Sequence, residues 1–358
     1  MTTKTANSRL TAIDLYSGSG AVTEGLRRIG FDVLAAVDSD PICCRTYRAN
    51  HEAVLLCERD IKLVAPAEIR TKLSYSGSID LLVVCAPCQP FSTQNKKRFQ
   101  DDPRSALVLQ SIKFIEEFSP SLVFFENVPG IAANGPLNQL RDDLRNHGYF
   151  LGDPRVINAA DCGVAQRRER CIMVAAKELE RIDIFYSSIQ ARSPKNVADA
   201  IQDLPGLNSG ESDPSDPLHF ARRHHPITLE RLKHIPKNGG SRSSLPPQLQ
   251  LECHKGRDGD FPDVYGRMKW DDVAPTLTTG CTDLTKGRYA HPRDDRSITL
   301  REAALLQSFP REYKFFGNGG QIARQIGNAV PVEMIAALEL PFRRALEPSQ
   351  NLNRKNAE

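Results

Sequence analysis

Between residues 10 and 176 short apolar runs recur at Leu10 to Tyr16, Val33 to Val37, Ala53 to Cys57, Ile79 to Cys85 and Leu122 to Phe125. Each is strand length, several are rich in Val, Ile and Phe, and none alternates strictly with polar residues, so the pattern predicts strands buried on both faces. Stretches of helical character lie between them, as at Arg104 to Phe118 and Leu137 to His147. Short buried strands alternating with helices predict an α/β fold, a doubly wound and mostly parallel sheet. Ligands of such sheets sit at the carboxyl ends of the strands.

From about Lys177 to Asp263 this rhythm is lost. Pro, Gly and Ser recur, as in Ser212-Asp213-Pro214-Ser215-Asp216-Pro217 and Gly239-Gly240-Ser241, which predicts a loop-rich insertion or small second domain. Beyond it the pattern predicts a helix at Leu300 to Gln307, a glycine-rich turn at Gly317 to Gly320 and a closing helix from Val332 to about Ala345. The expected organisation is a catalytic domain over 1–176, an inserted domain over about 177–263, a segment over 264–346 returning to the first domain, and a polar tail over 347–358.

A chain of 358 residues is long enough for one large domain and a smaller one. A net charge of +3 neither demands nor excludes a nucleic-acid partner. The distribution of charge says more. Between His219 and Arg257 eight Lys or Arg stand against two acids, Glu230 and Glu252, and five of the eight histidines fall there. This is a candidate phosphate-contacting surface; a solvated loop region with incidental charge is the even alternative. The first nine residues are polar and no run of eighteen apolar residues occurs, so an intracellular protein without a membrane span is expected, in the cytoplasm or nucleoid if bacterial. Nine cysteines, an odd number without framework spacing, predict reduced thiols.

Asp14-Leu15-Tyr16-Ser17-Gly18-Ser19-Gly20 follows the first predicted strand and opens a helix. Glycines there let backbone approach a ligand closely. Asp38 closes the second strand, where a carboxylate accepts hydrogen bonds from ribose hydroxyls, and Asp60 follows the third, a candidate for an adenine amino group. Nicotinamide enzymes use a similar arrangement, but Thr23 stands where their fingerprint wants its third glycine. Further on, Leu81-Leu82-Val83-Val84-Cys85-Ala86-Pro87-Cys88-Gln89-Pro90-Phe91-Ser92 takes an apolar strand into a two-proline turn. The prolines fix φ on either side of Cys88, a thiol at a strand's carboxyl end. Three readings stay open for this segment alone: a nucleophile, a Cys85-x-x-Cys88 redox pair, and a structural or half-metal site.

Together with later motifs, these residues resemble the DNA cytosine-C5 methyltransferase family, in order and through almost the whole chain outside the insertion. The glycine loop is similar to the family's first motif and Pro87-Cys88-Gln89 with Phe91-Ser92 to its catalytic loop. Phe125-Glu126-Asn127-Val128 is similar to its Glu-Asn-Val motif, and Gln166-Arg167-Arg168-Glu169-Arg170 to its basic motif. Arg301-Glu302 with Leu306-Gln307-Ser308-Phe309-Pro310, then Gln325-Ile326-Gly327-Asn328-Ala329-Val330-Pro331, resemble the last two. Tyr16 and Ala21 depart from the usual Phe and Gly.

The resemblance implies methyl transfer from S-adenosylmethionine, without a metal, to cytosine C5 in flipped-out bases of duplex DNA. It implies Cys88 as nucleophile, Glu126 as the group at the base edge, and Arg168 and Arg170 on one strand face, one at the base carbonyl and the other supporting the carboxyl. Tyr16, Gly18, Gly20, Asp38, Asp60, Ile61, Pro87 and Asn328 are then expected at the cofactor, Gln89 and Ser92 at the DNA, and Arg301 and Glu302 as organising residues outside the catalytic set. The insertion corresponds to the family's target-recognition domain, with Arg222, Arg223, Arg242 and Arg257 as candidates for guanine or phosphate contacts. A monomer is expected, and a separate cognate restriction endonuclease is left open. The runner-up readings are a transfer-RNA cytosine-C5 methyltransferase of the same fold, a catalytically silent DNA-binding relative, and a thioredoxin-like oxidoreductase.

Overall fold

The structure, a computed structural model, describes residues 9–87, 105–133, 135–254 and 262–347, the side chains of 105, 106, 132, 133, 135 and 254 excepted. Contacts within it divide the chain into two compact units. The first comprises Met1–Asn158, Glu169–Ala191 and Met334–Glu358, the second Ala159–Arg168 and Arg192–Glu333.

In the first unit, β1 (Thr11–Leu15), α1 (Ala21–Arg28), β2 (Asp32–Asp38), α2 (Pro41–Asn50), β3 (Leu55–Glu58), α3 (Pro66–Leu73), β4 (Leu81–Val84), α4 (Ile112–Phe118), β5 (Leu122–Asn127) and α5 (Gly135–Asn146) alternate as predicted. There follow β6 (Phe150–Leu151), β7 (Arg155–Asn158), β8 (Glu169–Ala176) and α6 (Leu179–Ser187). The sheet order is β3-β2-β1-β4-β5-β8-β6, with β7 also paired to β8. The ladders from β3 to β5 are parallel, and those made by β8 are antiparallel. Strand order therefore reverses between β1 and β4, which puts the crevice of a doubly wound sheet at their carboxyl ends.

Alternation along β5 explains how both faces are filled. Val123 and Phe125 point into a core with Ile13, Leu15, Val37, Leu82, Val84, Phe114 and Phe118. Phe124 points the other way, where its ring meets Phe342 at 5.4 Å between centroids, and Phe342 also packs on Phe31 and Phe185. Phe342 is carried by the closing helix, which is broken into α11 (Val332–Ala336) and α12 (Glu339–Leu346) rather than continuous. The predicted helix from Arg104 likewise begins as a 3-10 segment, Ser105–Ser111, before α4.

The second unit contains α7 (Val197–Ile201), α8 (Pro226–His234), α9 (Leu300–Leu306) and α10 (Gly319–Asn328) joined by long irregular segments. The glycine-rich turn expected at 317–320 is the start of α10, because Asn318 caps it in a reciprocal bond with Gln321. A small apolar cluster of Leu232, Ile235, Leu245, Leu249, Tyr265, Leu284 and Ala290 is supplemented by buried arginines. Arg267 donates to the carbonyls of Ile235, His291, Asp294 and Leu232 and to Asp295. Arg296 pairs bidentately with Glu302 at 2.8 Å and also bonds Asp294 and Leu207. Here the structure departs from the expected boundaries. These bonds tie residues 264–302 to 207–235, so the stretch expected to return to the first domain clusters with the insertion as far as Glu333.

Candidate active site

At the end of β1 the chain turns through Tyr16, Gly18 and Gly20, all with positive φ, at 62°, 54° and 93°. Space around the Gly18 α-carbon is open, so backbone conformation is what demands glycine there. The turn is held by Ser17 N–H on the Val37 carbonyl and by Gly18 N–H on Asp38 Oδ2 at 2.8 Å. Asp38 Oδ1 takes the N–H of Asp40, also at 2.8 Å. Each carboxylate oxygen retains a second lone pair for a ligand hydroxyl. Burial raises the Asp38 carboxyl above its ordinary range, against the pull of these two N–H groups.

Beneath the turn lies a polar network that sequence reasoning missed. Thr23, where a dinucleotide fingerprint would carry glycine, donates to Asp14 Oδ2 at 2.8 Å and lies 2.8 Å from the Tyr47 hydroxyl. Burial pushes the Asp14 carboxyl up to about 7, only partly offset by the Thr23 hydrogen bond. Asp14 Oδ1 and Ser17 Oγ are buried without a hydrogen-bond partner among the described residues. Two such atoms below an open glycine turn suit a polar, partly charged ligand at this strand end. Asp60 caps the short turn Ile61–Leu63 through the N–H of Lys62, Ile61 is buried below it, and the Tyr16 hydroxyl donates to the Leu107 carbonyl.

Strand β4 delivers Cys85, Ala86 and Pro87 at the same end of the sheet. Cys88, Gln89 and Ser92 lie outside the described residues. Glu126, on the neighbouring strand, is 6 % exposed. It pairs across the ladder with Ile172, so Arg170, two residues earlier on β8, is its diagonal neighbour on the same face. Arg170 Nε accordingly stands 2.8 Å from Glu126 Oε1. Asn127 Nδ2 donates to the Ala86 carbonyl at 3.2 Å, tethering the end of β5 to the approach to Cys88. That asparagine was quoted within a motif but given no role from sequence.

Arg168 does not share this arrangement. It precedes β8 and is buried in the second unit, where it donates to the carbonyls of Leu277 at 2.9 Å and Gly327 at 2.8 Å. The strand-face argument fails because β8 begins only at Glu169. Gln166 holds the N–H of the same Leu277, at 2.9 Å, and bonds Gln307. Asn328 is exposed at the end of α10, and a Cβ on Gly327 would collide with the Thr278 carbonyl. Glu302 is engaged by Arg296 and the α9 cap, while Arg301 is bonded to Asp216.

The family described as C-5 cytosine-specific DNA methylase matches residues 10–340. The chain belongs to this family. It is 38% identical to the Type II methylase M.HgiDII of Herpetosiphon aurantiacus over 344 residues, covering 94% of this chain and 95% of that protein. It is 31% identical to the Type II methyltransferase M1.BsuMI of Bacillus subtilis, covering 94% and 81%. Among solved structures, a prophage-encoded E. coli protein classed as a DNA modification methyltransferase superposes with a TM-score of 0.74 at 24% identity, covering 94% of this chain and 99% of the other. The S. pombe Dnmt2 methyltransferase gives 0.61 at 21%, covering 92% and 97%. These structural likenesses bear on the fold. As a C-5 cytosine-specific DNA methylase, the protein is a DNA cytosine methyltransferase and its substrate is DNA.

The methylase's basic stretch separates into two groups. His219 is buried between Thr299 and the Pro205 carbonyl, His224 accepts the Ser297 N–H, and Arg231 bonds the Leu249 carbonyl and faces the Tyr265 ring. These hold the second unit together. Arg222 and Arg223 are exposed, Arg222 standing 3.7 Å from Asp283, and Arg242 is half-buried at the start of a 3-10 turn. Arg257 lies outside the described residues. Among the described residues no cluster of His, Cys, Asp and Glu is arranged to hold a metal, and no helix is long and apolar enough to cross a membrane.

Proposed function

We propose that the methylase acts through Cys88, which adds to cytosine C6, with Glu126 and Arg170 stabilising the activated base. The single observation carrying this reading is the Arg170–Glu126 pair, 2.8 Å apart and largely buried, with Glu126 on the strand beside the one that leads to Cys88. Addition of a thiolate to C6 moves electron density onto the ring, so a proton source at N3 and the exocyclic amine lowers the barrier. Glu126 supplies that group, and Arg170, ion-paired with Oε1, orients it. Arg168 is a positioning residue in this account, holding Leu277 and the end of α10. S-adenosylmethionine supplies the electrophilic methyl group when bound. The Gly18 and Gly20 turn, Asp38, Asp60, Ile61 and the Tyr16 ring would bind and orient it, the unpartnered Asp14 Oδ1 and Ser17 Oγ suit its amino-acid part, and Pro87 and Asn328 remain the other residues expected to contact it. After transfer a base removes the C5 proton and the Cys88 thiolate leaves by β-elimination.

A base stacked in a duplex exposes neither C6 nor C5 to these groups, so the target nucleotide is extruded before reaction. Target recognition belongs to the second unit, whose exposed Arg222 and Arg223 and half-buried Arg242 meet phosphates or base edges. The Type II designation of the relatives supports pairing with a separate endonuclease of the same target. Bisulfite sequencing of DNA from cells expressing the chain tests the reading. Methylation of one sequence motif, lost in Cys88→Ser and Glu126→Gln, is the expected result. Methylation surviving in Cys88→Ser would overturn it.

A further inference from the structure

We infer that Lys113 is a positioning residue for the adenosyl group of the methyl donor, bracing from behind the turn that carries Asp60 and Ile61. The inference rests on the reading of Tyr16, Asp60 and Ile61 as the adenosyl pocket. Lys113 lies in the first turn of α4, outside every motif quoted from the sequence. Its ammonium donates to the carbonyls of Ile61 at 2.5 Å, Val64 at 2.7 Å and Lys62 at 3.4 Å. Three carbonyls thus converge on a group with three protons to give.

The turn needs such a brace. Residues Ile61–Leu63 form a single 3-10 turn, too short to be stable by itself. Its anchors to the core are Ile61 and Val64, while Leu63 between them is 74 % exposed. Asp60 caps the turn from its amino end, and Lys113 gathers the carbonyls at its other end. The Asp60 carboxylate is near enough to Lys113 and Tyr16 to act on the ionisation of both. The opposite wall is fixed from the same stretch of chain, because the Tyr16 hydroxyl donates at 2.5 Å to the carbonyl of Leu107, six residues before Lys113. The family's usual Phe has no hydroxyl to make that bond. One continuous segment therefore sets the spacing between the aromatic wall and the Asp60 turn.

The test uses the full chain and equilibrium binding of S-adenosylmethionine, read by calorimetry without DNA. Lys113→Met keeps most of the aliphatic stem and deletes the ammonium. It is expected to raise the dissociation constant for S-adenosylmethionine about tenfold, the size of effect of one charge-assisted hydrogen bond. Duplex DNA binding measured without the methyl donor should stay within about twofold, and Lys113→Arg should recover most of the lost affinity. Tyr16→Phe should weaken binding of the methyl donor about fivefold, the scale of one neutral hydrogen bond. A folded Lys113→Met that binds the methyl donor like wild type, or loses donor and DNA binding alike, would overturn the inference. Should Lys113→Met fail to fold, an unchanged affinity in Tyr16→Phe overturns it instead. Wild-type chain that bound no S-adenosylmethionine would refute the pocket itself, a result distinct from unaltered variants.

Discussion

The two units of this methylase are held together by different physics. In the first, β1, β4 and β5 are buried on both faces, and side chains such as Ile13, Leu82 and Phe125 fill the space between sheet and helices. In the second, Arg267 and Arg296 are among the largest fully buried side chains, and their guanidinium groups gather carbonyls and carboxylates from several segments. Apolar packing is tolerant, because many side chains of similar volume fill the same space. A buried guanidinium is not, because each partner loses a specific bond when it is removed. A platform of the first kind gives a reproducible strand-end site. A loop scaffold pinned at a few charged points depends on those points for its shape.

The largest expected effect is chemical and confined to the first unit. Glu126→Gln and Arg170→Met should each lower kcat by roughly two to four orders of magnitude, the scale of lost acid–base and electrostatic assistance, with methyl-donor affinity unchanged. Single-turnover methylation of a verified target reads this directly. A loss of less than tenfold in both would mean that the pair is an ordinary strand-end ion pair.

The contrast in packing can be broken by a matched pair of substitutions. Arg296→Met leaves Glu302 without its principal cation and takes one of Asp294's, and should cost about 3–5 kcal/mol of stability. Leu82→Met, close to volume-conserving in the sheet core, should cost less than about 1.5 kcal/mol. Denaturant unfolding measures both. Equal costs would erase the distinction between the units.

Acid and alkali should also separate them. Burial opposes ionisation of Asp294, but the Arg293 hydrogen bond and the His291 and Arg296 charges outweigh it and hold its carboxyl down at about 2. Its folded-state value lies below the unfolded one, so its stabilising contribution is present above about pH 4 and is lost as pH falls towards 2. Asp14 has the opposite sign. Its folded-state value is raised to about 7, so the folded state is favoured below the unfolded value and loses that advantage as pH rises from 4 to 7. Asp14→Asn should flatten the decline in stability between about pH 4 and 7, an effect on the order of a few kcal/mol. An identical pH slope in wild type and Asp14→Asn would contradict the burial argument.

A smaller effect is expected at the cofactor. Asp38→Ala removes ligand acceptors and the anchor of the Gly18 N–H, and should weaken binding of the methyl donor about ten- to hundredfold. Unchanged affinity would reduce Asp38 to a strand-end residue.

This contrast also governs what was legible in the sequence. Strands buried on both faces, as β1, β4 and β5 are, leave apolar runs, and the half-buried edge strand β3 still kept a short apolar run, so β1 to β5 were readable and Gly18, Asp38 and Glu126 could be placed at or near their ends. β8 was harder, since it begins in the charged Gln166–Arg170 stretch. Spacing suggested one face for Arg168 and Arg170, but the chain enters the strand only after Arg168. The extent of the second unit was illegible because Arg267 and Arg296 read as surface residues, and nothing local marks partners 30 to 90 positions away. Thr23 hid its role by departing from a fingerprint, whereas Lys113 belonged to no motif. The fold of the first unit came from periodicity, the expected roles of the charged residues came from resemblance, and only geometry showed that Arg170, not Arg168, stands beside Glu126.

The central claim is the bond from Cys88 to the base. Placing 5-fluorocytosine at the verified target of the enzyme allows methyl transfer but blocks release, because fluorine cannot leave as a cation. The account predicts a denaturation-resistant protein–DNA adduct that depends on S-adenosylmethionine, maps by mass spectrometry to the Cys88 peptide, disappears in Cys88→Ser and persists in Cys85→Ser. Active enzyme that formed no such adduct, or one mapping to another residue, would contradict it.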